Sequence, residues 1–251
     1  MAAGTKPQPV FKLNTLLQNT YAKINQPVFI QNKLILNMIF VLNKTNTIAN
    51  QFLAELRDTE IQQDKARFRR NQEKLGEILA YELSKTLHYQ PKEVQTPLGI
   101  ANINTPADQP VLATILRAGL PFHQGFMHFF DQSESAFITA YRKVKRGGSF
   151  LIQVDHISTP NLDGKVLILC DTMLATGQSL VSVCKELMAQ YDIKELHIAA
   201  VIASTVGIAH VRANLPKAKL WVCAIDEEMT SKAYIVPGLG DAGDLAFGEK
   251  V

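Results

Sequence analysis

The sequence predicts an α/β fold, a parallel sheet flanked by helices, and three observations carry that expectation. Short, continuous apolar runs such as Val166 to Cys170 and Leu196 to Ala203 lack the apolar–polar alternation of a half-exposed strand, as strands buried on both faces do. From Val111 onward such runs alternate with segments of helical period, with no internal repeat and no dividing linker. The run Val166 to Cys170 ends on Asp171, then passes through a small, hydroxyl-bearing, glycine-containing turn into an apolar-periodic helix. In open α/β sheets that strand–turn–helix unit brings ligand-binding groups to the carboxyl edge.

The elements follow in order. Asp64 to Leu87 reads as a helix, because Phe68, Leu75, Ile78, Leu79 and Leu83 recur at helical spacing with charged residues between them. Residues 89 to 109 hold Pro91, Pro97 and Pro106 among short alternating runs, which suits a hairpin or an irregular excursion. Val111 to Leu116 is a strand and Leu120 to Phe130 a helix. Ala136 to Tyr141 is a second strand, followed by the basic turn Lys143 to Gly148 and a return arm from Phe150 to Ile157. Val166 to Cys170 and Gln178 to Ala189 give strand and helix. Leu196 to Ala203, Val206 to Ala213 and Leu220 to Ala224 give strand, helix, strand. The segments before Pro110 and after Asp226 are left to form a cap over the carboxyl edge of the sheet.

Composition narrows the function classes. With 47% hydrophobic and 20% charged residues, the chain is expected to be an ordinary globular protein. Its longest early apolar run, Leu34 to Leu42, is interrupted by Asn37 and is too short to span a bilayer. The formal charge of +3 is unevenly spread: residues 1 to 44 hold Lys6, Lys12, Lys23, Lys33 and Lys44 and no acid. The rest, with 21 basic and 23 acidic residues, is close to neutral, which argues against a nucleic-acid partner. Residues 1 to 44 read as an N-terminal extension and 45 to 251 as the functional domain. Met38 is a candidate for the true start, and a loosely docked arm is the other reading. Cys170, Cys184 and Cys223 lie in apolar segments at no metal-ligand spacing, so they read as reduced core residues of a cytoplasmic protein. The six histidines form no zinc spacing either.

The chemistry concentrates in a few segments. After Asp171, the turn presents backbone N–H groups with the Thr176 and Ser179 hydroxyls at a helix N-terminus, a cradle for a phosphate. A carboxylate just before such a cradle can hold sugar hydroxyls, and the pair suits a ribose 5-phosphate. Ile115-Leu-Arg117-Ala-Gly119 ends a strand on an arginine, whose planar fork matches phosphate oxygens, and small residues then let backbone approach an anion. Gly238-x-Gly240-x-x-Gly243 fits a dinucleotide-binding pattern, but it is not expected to bind one because no strand–turn–helix context surrounds it.

The segment 166 to 180 resembles the signature loop of the phosphoribosyltransferases. Ile115 to Pro121, Tyr141-Arg142 and Tyr234-Ile235 through Gly240-Asp241 to Asp244 narrow the resemblance to the uracil phosphoribosyltransferases, and Leu56-Arg57-Asp58 through Arg67-Phe68-Arg69 to Tyr81-Glu82 resembles the family's opening helices. It spans roughly Thr45 to Val251. It implies a type I phosphoribosyltransferase fold with a small hood built from N- and C-terminal segments, and conversion of uracil and phosphoribosyl pyrophosphate to UMP and pyrophosphate. Arg117, Arg142 and Asp171 would be catalytic. The donor would lie on these three with Thr172, Met173, Leu174, Ala175, Thr176, Gly177, Gln178, Ser179 and Asp241. Uracil would be read by Ile235, Gly240, Asp241 and Ala242 through backbone groups, since the base presents acceptor, donor and acceptor along one edge. The resemblance also implies Mg2+ carried by the donor, with Asp241 a further contact, a GTP effector, and a homodimer or larger homo-oligomer.

Three departures stand out. The family usually has proline where this chain has Thr172, often a second glycine where it has Gln178, and often a cation where it has Leu245. Neither Thr172 nor Gln178 removes a charge, whereas Leu245 is expected to cost a minor subunit or substrate contact. A regulatory RNA-binding protein on the same fold is the competing class, and the near-neutral body weighs against it. Another base is the second alternative, and the Tyr234 to Asp244 segment favours uracil.

Overall fold

The computed structural model describes residues 39–144 and 150–250. The readings made above for residues 1–38, Met38 as a start among them, and for the turn residues 145–149 lie outside the described residues. The order along the chain is β1 (Ile39–Val41), α1 (Ala49–Arg57), α2 (Lys65–Ser84), β2 (Tyr89–Thr96), β3 (Gly99–Pro106), β4 (Val111–Leu116) and α3 (Leu120–Phe129). There follow β5 (Ser135–Val144), β6 (Phe150–Ser158), β7 (Val166–Leu174), α4 (Gln178–Gln190), β8 (Glu195–Ser204) and α5 (Thr205–Asn214). The chain closes with β9 (Lys219–Asp226), β10 (Glu228–Met229), β11 (Ile235–Val236) and α6 (Ala242–Phe247).

A seven-stranded sheet in the order β1-β9-β8-β7-β4-β5-β6 organises the molecule. Every neighbouring pair is parallel except β5–β6, which is the hairpin expected from sequence. The continuous apolar runs are explained by the two-residue period of a strand. Leu112, Ile168, Cys170, Ala199, Val201, Trp221 and Cys223 enter one core beneath α1, α2 and α3. The intervening Ala113, Leu167, Leu169, Ile198, Ala200, Leu220 and Val222 enter the other, beneath α4 and α5. With helices on both faces, no strand face is left for polar residues.

Several strands differ from the sequence reading. β5 runs on through Arg142 to Val144, where a turn was expected from Lys143, because β6 pairs with it out to Phe150. Two more differences bear on the site. Ile39–Val41 pairs in parallel with Leu220 to Val222, so the sheet includes residues assigned above to the extension. β7 continues past Cys170 to Leu174, because β8 runs long enough to supply Ile202 and Ala203 as register partners for Met173 and Leu174. Asp171 and Met173 are therefore held in register with Ala200 and Ile202, with Thr172 between them in the strand rather than on a loop.

The topology also locates a crevice. β4 leads through α3 to β5 on one side, whereas β7 leads through α4 to β8 on the other. The carboxyl ends of adjacent β4 and β7 thus form the switch point where open α/β sheets take their ligands. Beside it, Gln62, Gln63 and Lys65 border a hollow of about 320 Å3 with Leu239, Gly240 and Asp241, so the hood draws on both ends of the described chain.

Candidate active site

Three segments converge on that switch point. The first follows β4. Gly119 is required there, because a Cβ would lie 2.5 Å from Thr114 Oγ1 and 2.9 Å from the Cys170 carbonyl. That close approach sets Arg117 and Ala118 against the end of β7. Arg117 Nη2 donates to Asp244 Oδ1 at 3.1 Å and to the Gly248 carbonyl at 3.2 Å, while its buried Nε has no partner among the described residues. The arginine fork therefore bridges the β4 turn to the C-terminal segment and keeps a donor in reserve.

The second segment is the end of β7 with its turn. Asp171 is half-buried, and Thr172 N–H donates to its Oδ1 at 2.7 Å. Burial pushes its carboxyl up to about 7, against the pull of the Thr172 and Met173 N–H groups. Thr172 is fully buried, and its hydroxyl donates to the Ala118 carbonyl at 2.7 Å, tying the two loops together. The turn from Leu174 to Gly177 reaches α4 with Gly177 at φ +74 as its N-cap. It is braced from behind: Ser204 Oγ donates to the Ala175 carbonyl at 2.5 Å and accepts from Gly207 N–H at 2.8 Å. A Cβ on Gly207 would overlap the Ala175 and Leu174 carbonyl oxygens.

The C-terminal turn is the third segment. Ile235, Leu239 and Ala242 are buried and anchor it. Gly240 and Asp241 are exposed, and among the described residues the Gly240 N–H and C=O and the Asp241 N–H have no partner. Asp241 is the N-cap of α6, its Oδ1 accepting from Gly243 N–H at 2.9 Å and Asp244 N–H at 3.1 Å. Gly243 packs beside Arg117 and Ala118.

The structure thus brings together Arg117, Asp171, Thr172 to Ser179 and the Ile235 to Ala242 turn. Arg142 lies in β5 opposite Ile152 in register, two strands from β7. His123, the histidine closest to the site in sequence, turns away from it. It is fully buried against Phe137, with Nε2 3.4 Å from the Leu112 carbonyl, and burial lowers its pKa. Leu245 packs against the core where the family often has a cation. Sequence reasoning missed Asp244 as the partner of Arg117 and missed Gln72, Ser204 and Gly207 as supports. Only the Ser204-x-x-Gly207 pattern at a strand-to-helix junction offered a signal, that of an N-cap.

A glycine-bearing turn and helix start after one strand, an arginine turn after its neighbour and a carboxylate between them are the arrangement expected of a phosphoribosyltransferase. Residues 43–249 match the family model described as uracil phosphoribosyltransferase. The chain is 48% identical over 211 residues to a uracil phosphoribosyltransferase of Porphyromonas gingivalis, covering 84% of this chain and 98% of that protein. It is 38% identical over 205 residues to one from Methanothermobacter thermautotrophicus, covering 81% and 93%. Among solved structures, the AQ2163 protein of Aquifex aeolicus superposes with a TM-score of 0.75 at 27% identity, over 85% of this chain and all of that one. The chain belongs to the uracil phosphoribosyltransferase family. It is a pentosyltransferase that forms UMP and pyrophosphate from uracil and phosphoribosyl pyrophosphate.

Proposed function

We propose that Arg117, Arg142 and Asp171 carry the reaction, with the turn after β7 holding the donor and the C-terminal turn reading uracil. The convergence of the Arg117 turn, the end of β7 and the C-terminal turn on one switch point supports the assignment of their residues, and Arg142 enters it on the Tyr141-Arg142 resemblance alone. As the bond from the anomeric carbon to pyrophosphate breaks, its electron pair leaves with the pyrophosphate and uracil N1 bonds to that carbon, releasing its proton. Arginine donors aimed at the departing oxygens stabilise the charge that develops there. Asp171 accepts from the ribose hydroxyls. The N–H groups of Leu174 to Ser179, with the Thr176 and Ser179 hydroxyls, hold the 5-phosphate. Both are positioning effects. In the C-terminal turn, the unpartnered Gly240 and Asp241 groups supply donors and an acceptor for the base, with Ile235 and Ala242 beside them.

Mg2+ is the metal this site suits. Asp171 and the second oxygen of Asp241 are hard ligands beside a polyphosphate, and Mg2+ favours few carboxylates completed by substrate phosphates. The ion would arrive with the donor, whose phosphates would supply most of its ligands. Bound there, it neutralises pyrophosphate charge.

Homodimer formation is supported by the β2–β3 hairpin, which exposes Leu98, Ile100, Ile103 and Tyr89 and has no third strand. A GTP effector is supported by an open hollow of about 480 Å3 along α2 with Arg67, Arg69, Arg70 and Lys74 around it. A cytoplasmic setting is supported by three buried free cysteines. No helix among the described residues is long and apolar enough to cross a membrane.

The test is UMP formation from uracil and donor with Mg2+, run beside cytosine, hypoxanthine and orotate, with and without GTP. Uracil-selective turnover upholds the reading. Turnover unchanged by GTP removes the effector, and equal use of another base removes the C-terminal turn as the reader.

A further inference from the structure

We infer that Arg57 and Asp226, neither of which touches the reacting groups, are the positioning residues that set the base-reading turn. The inference rests on the reading that this turn holds uracil. Arg57 is the last residue of α1, and Asp226 is the last residue of β9 and 7% exposed. Arg57 Nη1 and Nη2 donate to the two carboxylate oxygens of Asp226, each at 2.8 Å. The second proton of Nη1 goes to the Gly238 carbonyl at 2.9 Å, and Asp226 Oδ2 accepts the Gly238 N–H at 2.9 Å. One ion pair thus satisfies both backbone groups of one residue, in a closed ring of hydrogen bonds.

Gly238 is the hinge of the turn. Its φ is +59, and a Cβ would collide with the Ile235 carbonyl, so the chain doubles back between Ile235 and Gly240. The Gln62 side-chain amide faces the Leu239 and Leu56 carbonyls, two acceptors, so its consistent orientation turns the NH2 toward them, donating to Leu239 at 2.9 Å and to Leu56 at 3.0 Å. Residues from the N-terminal half therefore take the carbonyls of Gly238 and Leu239, while Asp226, held by Arg57, takes the Gly238 N–H. The groups of Gly240 and the N–H of Asp241 stay unpartnered, and they are the ones assigned to uracil. An ion pair serving stability alone would not need to engage both polar groups of a turn glycine. Here the cation also supplies the planar fork that a lysine lacks.

The experiment measures KM for uracil and for phosphoribosyl pyrophosphate in Arg57→Lys, Arg57→Met and Arg57→Met/Asp226→Asn, with Gly240→Ala as a reference in the turn itself. Misplacing the base groups is expected to raise the uracil KM about tenfold in Arg57→Met and about threefold in Arg57→Lys, with the donor KM within about twofold of wild type. The double variant removes the buried unpaired carboxylate, so it folds at least as well as Arg57→Met and keeps the raised uracil KM. If Arg57→Met does not fold, Arg57→Lys decides. A uracil KM unchanged in the Arg57 variants but raised in Gly240→Ala overturns the positioning role alone. A uracil KM unchanged in Gly240→Ala as well overturns the base site and the positioning role together. Parallel rises in both KM values mark a general structural role and also overturn the inference.

Discussion

The two halves of the proposed site, the turn after β7 assigned to the donor and the C-terminal turn assigned to the base, are built in opposite ways. The donor half grows from the two cores: β7 is buried on both faces, its turn is braced by Ser204 only 29 residues away, and Thr172 reaches Ala118 across 54. The base half has strands of two residues each, β10 and β11, and a six-residue helix. Its shape is imposed by side chains from far away in sequence: Arg57 to Gly238 across 181 residues, Arg69 to the Ala246 carbonyl across 177, Arg117 to Asp244 across 127. The donor half is preorganised by packing with hydrogen bonds from nearby in sequence, and the base half by hydrogen bonds from far away. A pocket for a highly charged donor gains from rigid backbone N–H groups that need no rearrangement when charge develops. A turn that reads a flat base can be shaped by a few directional contacts.

The most direct way to break this contrast is Arg117→Ala, because Arg117 belongs to both halves. Its loss removes a donor to pyrophosphate and the bridge to Asp244. Turnover is expected to fall roughly a hundred- to a thousandfold, as when one oxyanion donor is removed. Its exposed ion pair contributes little to stability, so thermal unfolding should move only slightly. Near-wild-type turnover would contradict the proposed role.

Gly207→Ala addresses the donor half alone. The new methyl group must push aside the Ala175 and Leu174 carbonyls, and overpacking of that kind costs about 1–3 kcal/mol. Donor KM should rise and Tm fall while uracil KM stays put. A rise in uracil KM instead would show that the two halves are not separately built.

The difference in construction also explains what the sequence discloses. Strand, turn and phosphate cradle from Val166 to Ser179 are legible, because buried strands and glycine-bearing helix starts are local patterns. The strand was nevertheless expected to end at Cys170. Its extension depends on the length of β8, which no local pattern in β7 contains. Ile39–Val41 likewise reads as part of an apolar run and becomes a strand only through β9. Arg57 and Asp226 could be quoted as residues but not paired, since nothing local joins the end of a helix to the end of a strand 169 residues later.

The pH dependence of donor binding sharpens the donor half further. Burial lifts Asp171 to about 7, so the empty site is mostly protonated at pH 6 and mostly ionised at pH 8. The ionised form accepts from both ribose hydroxyls, so donor KM should fall by about tenfold across that interval. In the free protein the sign is opposite. The folded state keeps a proton that the unfolded chain has released, so this group's contribution to stability is present at low pH and is lost as pH rises toward 7. Donor phosphates titrate nearby, so the decisive comparison is Asp171→Asn, which should lose the step. A step that persists in Asp171→Asn belongs to the substrate.

The smallest expected effect concerns Thr172, where the family usually has proline. Its hydroxyl has one proton and two acceptors within reach, the Ala118 carbonyl at 2.7 Å and Gln72 Oε1 at 3.1 Å, while the buried Gln72 Nε2 lacks a partner. The consistent arrangement turns the Gln72 amide so that its NH2 donates to Thr172, whose proton then goes to Ala118. A chain from α2 through the end of β7 to the arginine turn results, so threonine replaces the stiffness of proline with a hydrogen bond. Thr172→Val keeps the shape and strands two buried groups, costing about 1–2 kcal/mol of stability with a several-fold rise in donor KM. Thr172→Ser should restore both values. Thr172→Pro removes the hydroxyl and also the N–H that holds Asp171, so the Asp171 step should move to higher pH than in Thr172→Val. Unchanged Tm and donor KM in Thr172→Val would mean that packing alone joins the two loops, making the donor half even more unlike the base half than the hydrogen bonds suggest.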